Sequence, residues 1–446
     1  MSLLDKVFAA GLVGEGGAGF PTHIKLNCKV EYLLLNAAEC EPLLHTDKYL
    51  LRNFAGEILD ALKETAALVE ASRVFIAVKG VNTREIASLE KAIAEKKSSV
   101  QIFKLDNYYP AGDEQMLVYD ITGRVVPPGQ IPLTVGAVVS NAATMLHIYD
   151  ALSGKPLTHK YLTVAGRVNK SAVLKVPIGT SYAECIAACG GPSIGGYYIV
   201  GGGPMMGRVF PGAEAENLSV TKTTSGILVL PAEGNFVART EALSVRHILA
   251  RAKAACIQCS FCSDLCPRRL IGHTLYPSKV MRKMALQDFN KPLAADDITR
   301  QALICCECGV CETFACPMGL SPRQVNKYVK QRLKGEKFEQ KEPLSPSPLR
   351  PYRKIAPKKI MARMGLLEEY SHWNEDYRDL EPKKVRIPCS QHIGAPALPV
   401  VSAGDRVERG QLIAKAAEGK PSANIHASIS GRVAQVDSVI VIEGGA

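Results

Sequence analysis

What this chain lacks narrows its function before any motif is read. It has no run approaching the roughly 18 to 20 uninterrupted apolar residues that a membrane span needs. Met1 to Phe8 lack the basic start and long apolar core of an export signal, so a cytoplasmic location is expected. Aromatic residues make up 6% of the chain, and no basic stretch is interleaved with stacking rings on a recognisable module. No nucleic-acid partner is therefore expected, despite a net charge of +11. Much of that excess lies between Lys327 and Lys359, which reads as a solvated basic linker.

The 446 residues are too many for one ordinary domain, and two to four are expected. Apolar content of 47% against 22% charged residues describes a soluble globular protein. Cysteine is the informative residue. Nine of the fourteen fall between Cys256 and Cys316, a cluster rather than an even disulfide framework. Without an export signal, that pattern points to metal.

Residues 1–155 alternate apolar strands (Tyr32 to Asn36, Val74 to Val78) with a helical pattern over Thr83 to Lys96, so an α/β domain with a mainly parallel sheet is expected. Residues 156–232 read as a small α+β module of short strands and a helix over Ser181 to Cys189. Residues 240–334 carry the cysteines among helical segments such as Gln324 to Leu333. A Pro/Ser-rich basic linker with a helical segment fills 335–383. The last domain, 384–446, is short strands broken by Gly and Ser. Its Gly404-Asp-Arg-Val-Glu-Arg-Gly and His426-Ala-Ser-Ile-Ser-Gly segments resemble the halves of a lipoyl-type barrel-sandwich. Lys420 is the nearest candidate for a modified lysine, but its Gly-Lys-Pro setting does not match, so an unmodified scaffold is expected.

Cys256-x2-Cys259-x2-Cys262-x3-Cys266-Pro267 has the spacing of a bacterial ferredoxin run. Thiolates three residues apart on a curling loop grip three corners of one cubane, and the fourth turns to the other cluster. Cys305-x2-Cys308-x2-Cys311-x4-Cys316-Pro317 repeats the pattern with one extra residue in the last gap. Two [4Fe–4S] clusters with crossed ligands follow: Cys256, Cys259 and Cys262 with Cys316, and Cys305, Cys308 and Cys311 with Cys266. Zinc prefers two CxxC pairs and a longer spacer. Cys306 reads as a bystander, and Cys28, Cys40, Cys185, Cys189 and Cys389 as core or loop thiols.

Four glycines in Gly14-Glu-Gly-Gly-Ala-Gly-Phe-Pro21 let backbone N–H groups approach a phosphate or a flat ring. Alone, such a loop is equally a flexible turn, and it lacks the Gly-Lys-Ser/Thr ending of an NTPase loop. Asn36-Ala-Ala-Glu-Cys-Glu-Pro42 ends an expected strand, where open α/β sheets place ligands. Tyr109-Pro-Ala-Gly-Asp-Glu114, Asp120-Ile-Thr-Gly-Arg and Val139-Ser-Asn-Ala-Ala-Thr144 accompany it.

Together these motifs resemble the flavin subunit of respiratory complex I and, more closely, the RnfC and PduS cobalamin reductase families. The barrel-sandwich lies at the C-terminus, which favours PduS over RnfC. The resemblance implies a Rossmann-like FMN domain, a β-grasp (SLBB) module over 156–232, a helical two-cluster ferredoxin-like domain and the barrel-sandwich. It places FMN against Gly14, Gly16, Gly17, Gly19 and Lys25, with Asn36, Glu39, Glu114, Asn141 and Thr144 around it. Phe20 and Glu41 match positions that contact the nicotinamide nucleotide, NADH. Ala38 departs from the complex I pattern, which is acidic there. The implied activity is NADH-dependent reduction of cobalamin, reactivating B12 for a diol dehydratase inside a bacterial microcompartment, with an adenosyltransferase or shell protein as partner. The alternatives are a peripheral subunit of a membrane ferredoxin:NAD oxidoreductase and an iron–sulfur scaffold without flavin. No side-chain acid or base is expected to take part in the hydride step.

Overall fold

The structure, a computed structural model, describes residues 1–233, 244–288 and 291–444, so the expected domain start at 240 lies outside the described residues. The first sheet is four parallel strands: β1 (Tyr32–Ala37), β2 (Arg73–Lys79), β3 (Gln101–Leu105) and β4 (Ala137–Asn141), in the order β3-β2-β1-β4. Both of its faces are covered, which is why β1 reads as an unbroken apolar run. Leu33, Leu35, Ile76 and Val78 pack against the helices Ala55–Leu68, Thr83–Lys96 and Ala142–Leu152. Leu34, Ala77 and Val139 meet Leu117 and Val118 of helix Glu114–Thr122 on the other face.

The second sheet has six strands. β5 (His159–Gly166), β6 (Ala172–Pro177), β7 (Tyr197–Gly201), β8 (Arg208–Pro211) and β9 (Gly226–Pro231) come from the small module. Helix Tyr182–Ala188 starts at a capping box in which Ser181 and Glu184 satisfy each other's backbone N–H. The sixth strand, β10 (Asp376–Asp379), arrives from far down the chain and pairs in parallel with β6. The segment expected to be linker with a helical part thus holds a strand as well, after the helices Pro357–Met364 and Leu367–Ser371. Ile360 and Met361 of the first share a core with Cys308 and Val310.

The cysteine segment is helical: Val245–Ala255, Pro277–Ala285 and Pro322–Arg332 pack around Val280, Met284, Val325 and Val329. The C-terminal strands form two small antiparallel sheets, whose Val385, Ile413 and Ile440 merge with the core of the first domain. Lys222, from the β-grasp module, pins this junction. Its fully buried ammonium donates to Gly11 O at 2.7 Å and to Asn424 O at 2.5 Å.

Candidate functional site

The order of the first sheet reverses between β1 and β4, and the crevice beyond their C-terminal ends is where open α/β sheets bind ligands. Asn36 ends the apolar part of β1 and donates to Gly112 O at 2.8 Å. Asn141 ends β4 and caps helix Ala142–Leu152, accepting from Ala143 N at 2.9 Å. Residues 14–20 fold back as a loop closed by Gly14 N to Phe20 O (2.8 Å) and Gly19 N to Gly14 O (3.0 Å). Thr144 Oγ1 accepts from Glu15 N at 3.0 Å, and a Cβ on Gly16 would stand 3.5 Å from Asn141 Cβ. The glycine loop, Asn141 and Thr144 therefore share one corner of the crevice. Gly17, at φ +101°, has no heavy atom within 4 Å of where a Cβ would be, so the loop presents bare backbone to open space. Such an edge, flanked by amide and hydroxyl side chains, fits a flat ring and its phosphate.

Charged groups ring the crevice. Lys25 and Glu114 pair with each other at 2.6 Å. Glu39, at φ +30°, accepts the N–H of Asp47 at 3.0 Å, and Asp47 in turn accepts from Asn141 Nδ2 at 3.3 Å. Burial raises both of these carboxyls, and the like charge of Glu39 raises Asp47 further. Glu41 sits under the loop Gly201–Gly207 of the β-grasp module. It accepts from Met205 N at 2.9 Å and from the Tyr109 hydroxyl at 3.4 Å. Gly203 lies so close that a Cβ there would be 2.1 Å from Glu41 Oε2. Burial pushes the Glu41 carboxyl up to about 7, although those hydrogen bonds and Arg323 pull the other way.

The same Tyr109 hydroxyl donates to Cys308 O at 2.8 Å, joining the flavin domain to the second cysteine run. That run and the first use one backbone recipe. Gln258 and Ser260 have φ of +59° and +60°, and Glu307 and Gly309 match them at +60° and +81°. A left-handed residue on each side of the middle cysteine curls the loop inward. The extra residue before Cys316 is taken up by a wide π-type turn over Cys311–Ala315, in place of the tight turn Phe261–Asp264 of the first run. The crossing expected from the spacing places sulfurs together as follows. Cys266 lines one cavity with Cys305, Cys308 and Cys311, and Cys306 lines it too. Burial pushes the Cys262 thiol up to about 12, reinforced by neighbouring Cys316, Cys259 and Cys256. Backbone N–H groups of Glu307 and Leu320 point at Cys305 Sγ and Cys316 Sγ, each at 3.4 Å. Buried and half-buried sulfurs in two sets of four, with N–H groups aimed at two of them, fit iron–sulfur cubanes.

Sequence reading passed over Asp47, Tyr109, Arg323 and Glu15. Of these, Tyr109 and Glu15 stand inside the motifs quoted above, Tyr109 at the head of Tyr109-Pro-Ala-Gly-Asp-Glu114 and Glu15 as a lone acid among glycines.

Family models match in four consecutive blocks: the Nuo51 FMN-binding domain over 7–150, the SLBB domain over 161–209, a 4Fe-4S dicluster domain over 255–321 and the RnfC barrel sandwich hybrid domain over 375–446. The NAD⁺-reducing [NiFe]-hydrogenase in its H2-reduced state shares the fold at TM-score 0.50 and 19% identity, over 75% of this chain and 63% of that one. The fold and its two redox sites define a flavin and iron–sulfur oxidoreductase, with FMN and [4Fe–4S] clusters as cofactors. The cobalamin reductase PduS of Citrobacter freundii is 38% identical over 99% of this chain and 97% of its own, and that of Salmonella typhimurium is 37% identical over 99% and 96%. The chain belongs to the PduS cobalamin reductase family. A component of the Na⁺-translocating ferredoxin:NAD⁺ oxidoreductase complex of Acetobacterium woodii is 36% identical over 60% of this chain and 58% of its own. Among the described residues, no helix is long and apolar enough to cross a membrane.

Proposed function

We propose that this protein takes electron pairs from NADH and passes them singly to cobalamin, returning B12 to a form that a diol dehydratase can use. The observation that carries this reading is the match to PduS along 99% of the chain, against 60% for the Acetobacterium woodii relative. When bound, FMN accepts the two electrons of a hydride and releases them one at a time, and the clusters carry single electrons.

The chain's own residues position these groups. Gly17 offers bare backbone to the flavin from the loop that also holds Gly14, Gly16 and Gly19, with Lys25, Asn36, Glu39, Glu114, Asn141 and Thr144 around it. Phe20 and Glu41 are assigned to the nicotinamide nucleotide. Cys256, Cys259, Cys262 and Cys316 hold one cluster, and Cys305, Cys308, Cys311 and Cys266 the other. The second quartet is assigned the entry position because Tyr109 links Cys308 to the flavin domain at 2.8 Å. The first is assigned the exit, since Cys256 and Cys259 are only partly buried beside Ile257 and Phe261, which are 61% and 52% exposed. A bacterial microcompartment is the proposed location, with an adenosyltransferase or shell protein alongside.

Anaerobically purified protein is expected to hold about eight irons and eight sulfides per chain, together with FMN, and to reduce cob(III)alamin and cob(II)alamin with NADH. Replacing Cys259 or Cys308 by Ala removes about half of the iron in each case. NADH oxidation without cobalamin reduction sinks the cobalamin assignment. The second reading is a peripheral subunit of a membrane ferredoxin:NAD oxidoreductase, favoured by the 36% identity to the Acetobacterium woodii relative. Co-purification with integral membrane subunits decides for it.

A further inference from the structure

Helix Ala142–Leu152 enters the flavin crevice at its N-terminus, and further along it carries a second group of side chains. His147 and Asp150 are three residues apart and share one face of the helix. His159 opens β5 of the neighbouring module. One ligand atom from each of the three lies within 4.8 Å of the other two. His147 Nε2 and His159 Nε2 face each other at 3.3 Å. Two nitrogens held about 2.0–2.1 Å from a tetrahedral zinc ion stand about 3.3 Å apart.

The surroundings add to the donors. His147 Nδ1 meets a carboxylate oxygen of Glu15, whose other oxygen takes Lys160 Nζ at 2.7 Å. All three side chains are buried, with exposures of 2%, 0% and 2%. A ring that donates Nδ1–H to a carboxylate turns its Nε2 lone pair outward, which is how metal-binding histidines are oriented. Asp150 is paired with Lys155 at 3.6 Å, loosely enough to turn onto an ion. His159 and Asp150 line a cleft of about 520 Å³ together with Tyr161, Lys175 and Arg409. A hydrogen bond between the rings would account for the two histidines. It accounts for neither the third donor nor the carboxylate behind His147.

The geometry points to a divalent transition-metal site of the zinc class, built from His147 Nε2, His159 Nε2 and the Asp150 carboxylate. The fourth position opens on the basic cleft and takes water or a small anion. Two imidazoles and one carboxylate suit zinc better than calcium or magnesium, which want oxygen ligands alone. The ion would tie β5 to the helix that caps the flavin crevice. Through Glu15, whose N–H bonds Thr144, the tie reaches the glycine loop.

The test uses full-length protein purified anaerobically, with FMN and both clusters in place, stripped of loosely held metal and then titrated with Zn²⁺. One equivalent is expected to bind. Its zinc-edge X-ray absorption should show nitrogen and oxygen neighbours at about 2.0–2.1 Å and no sulfur at about 2.3 Å. His159→Gln should abolish that equivalent while iron and flavin contents stay unchanged. Asp150→Asn, at a half-buried position lining the cleft, should weaken it and keeps the test open if the histidine variant does not fold. Glu15→Gln, acting from behind His147, should weaken it about 10- to 100-fold. A sulfur shell, no bound equivalent, or unchanged binding in both His159→Gln and Asp150→Asn overturns the site.

Discussion

In the first cysteine run, Cys256 and Cys259 are half-buried beside exposed Ile257 and Phe261, whereas Cys308 and Cys311 of the second run are buried, Cys308 in one core with Leu43, Leu44 and Tyr109 of the flavin domain. The two loops have matching left-handed residues and nearly matching spacing. Their difference is therefore one of setting. The inner run has its carbonyl at Cys308 taken by Tyr109, and Arg323 binds both Glu312 and Met205 O beside it. The outer run has an apolar rim open to a partner. Burial, nearby charge and N–H groups at sulfur are what separate the potentials of otherwise equal clusters.

Substitutions on the two sides test that contrast. Arg323→Met should do the most damage, because Arg323 and Glu312 pair at 2.6 Å with side-chain exposures of 14% and 10%. Leaving Glu312 buried alone costs about 3–5 kcal/mol. Chemical denaturation should show the loss, and iron analysis should show the inner cluster affected first. An unchanged midpoint would break the claim that the inner run is locked in place.

Glu41→Gln comes next. In the folded chain this carboxyl keeps its proton up to about pH 7, while the unfolded chain releases it near 4.5. Folded protein then binds more protons across that window, so wild-type stability falls as pH rises through it, by about 1–3 kcal/mol. Glu41→Gln removes that share of the slope, and denaturation midpoints of both proteins at pH 5 and 7.5 measure it. Tyr109→Phe should cost about 1 kcal/mol by leaving Cys308 O without its donor, and the outer run should keep its iron. The smallest stability effects belong to Ile257→Ser and Phe261→Ser, within about 0.5 kcal/mol. Both should still raise KM for the electron acceptor, and an unchanged KM would move the exit elsewhere.

The iron–sulfur segment was legible because ligation is written locally: spacing of three brings sulfurs together whatever surrounds them. The strands of the first sheet were legible for a similar reason, since Leu33 to Leu35 form an apolar run that only a doubly covered strand makes. What stayed hidden depends on residues far apart in the chain. Glu41 meets a loop some 160 positions on, and Lys222 bridges Gly11 and Asn424. Neither has a periodic pattern around it. β10 was invisible for another reason: Asp-Tyr-Arg-Asp lacks the apolar alternation of a strand, and it is held by pairing at a sheet edge instead. The placement of the glycine loop was foreseen, but Glu15 within it reads as one more loop acid until His147 and Lys160 are seen to close on it.

The return of β10 to the β-grasp sheet has a mechanical consequence. The chain departs from that sheet after β9, visits both cysteine runs, and is stitched back into the same hydrogen-bonded layer by β10. Stitched back at its exit, the cysteine-bearing region is held to the platform it left. Hops within such an assembly cross fixed gaps, so thickening the solvent with sucrose would slow the meeting with an outside acceptor and leave internal transfer at its original pace.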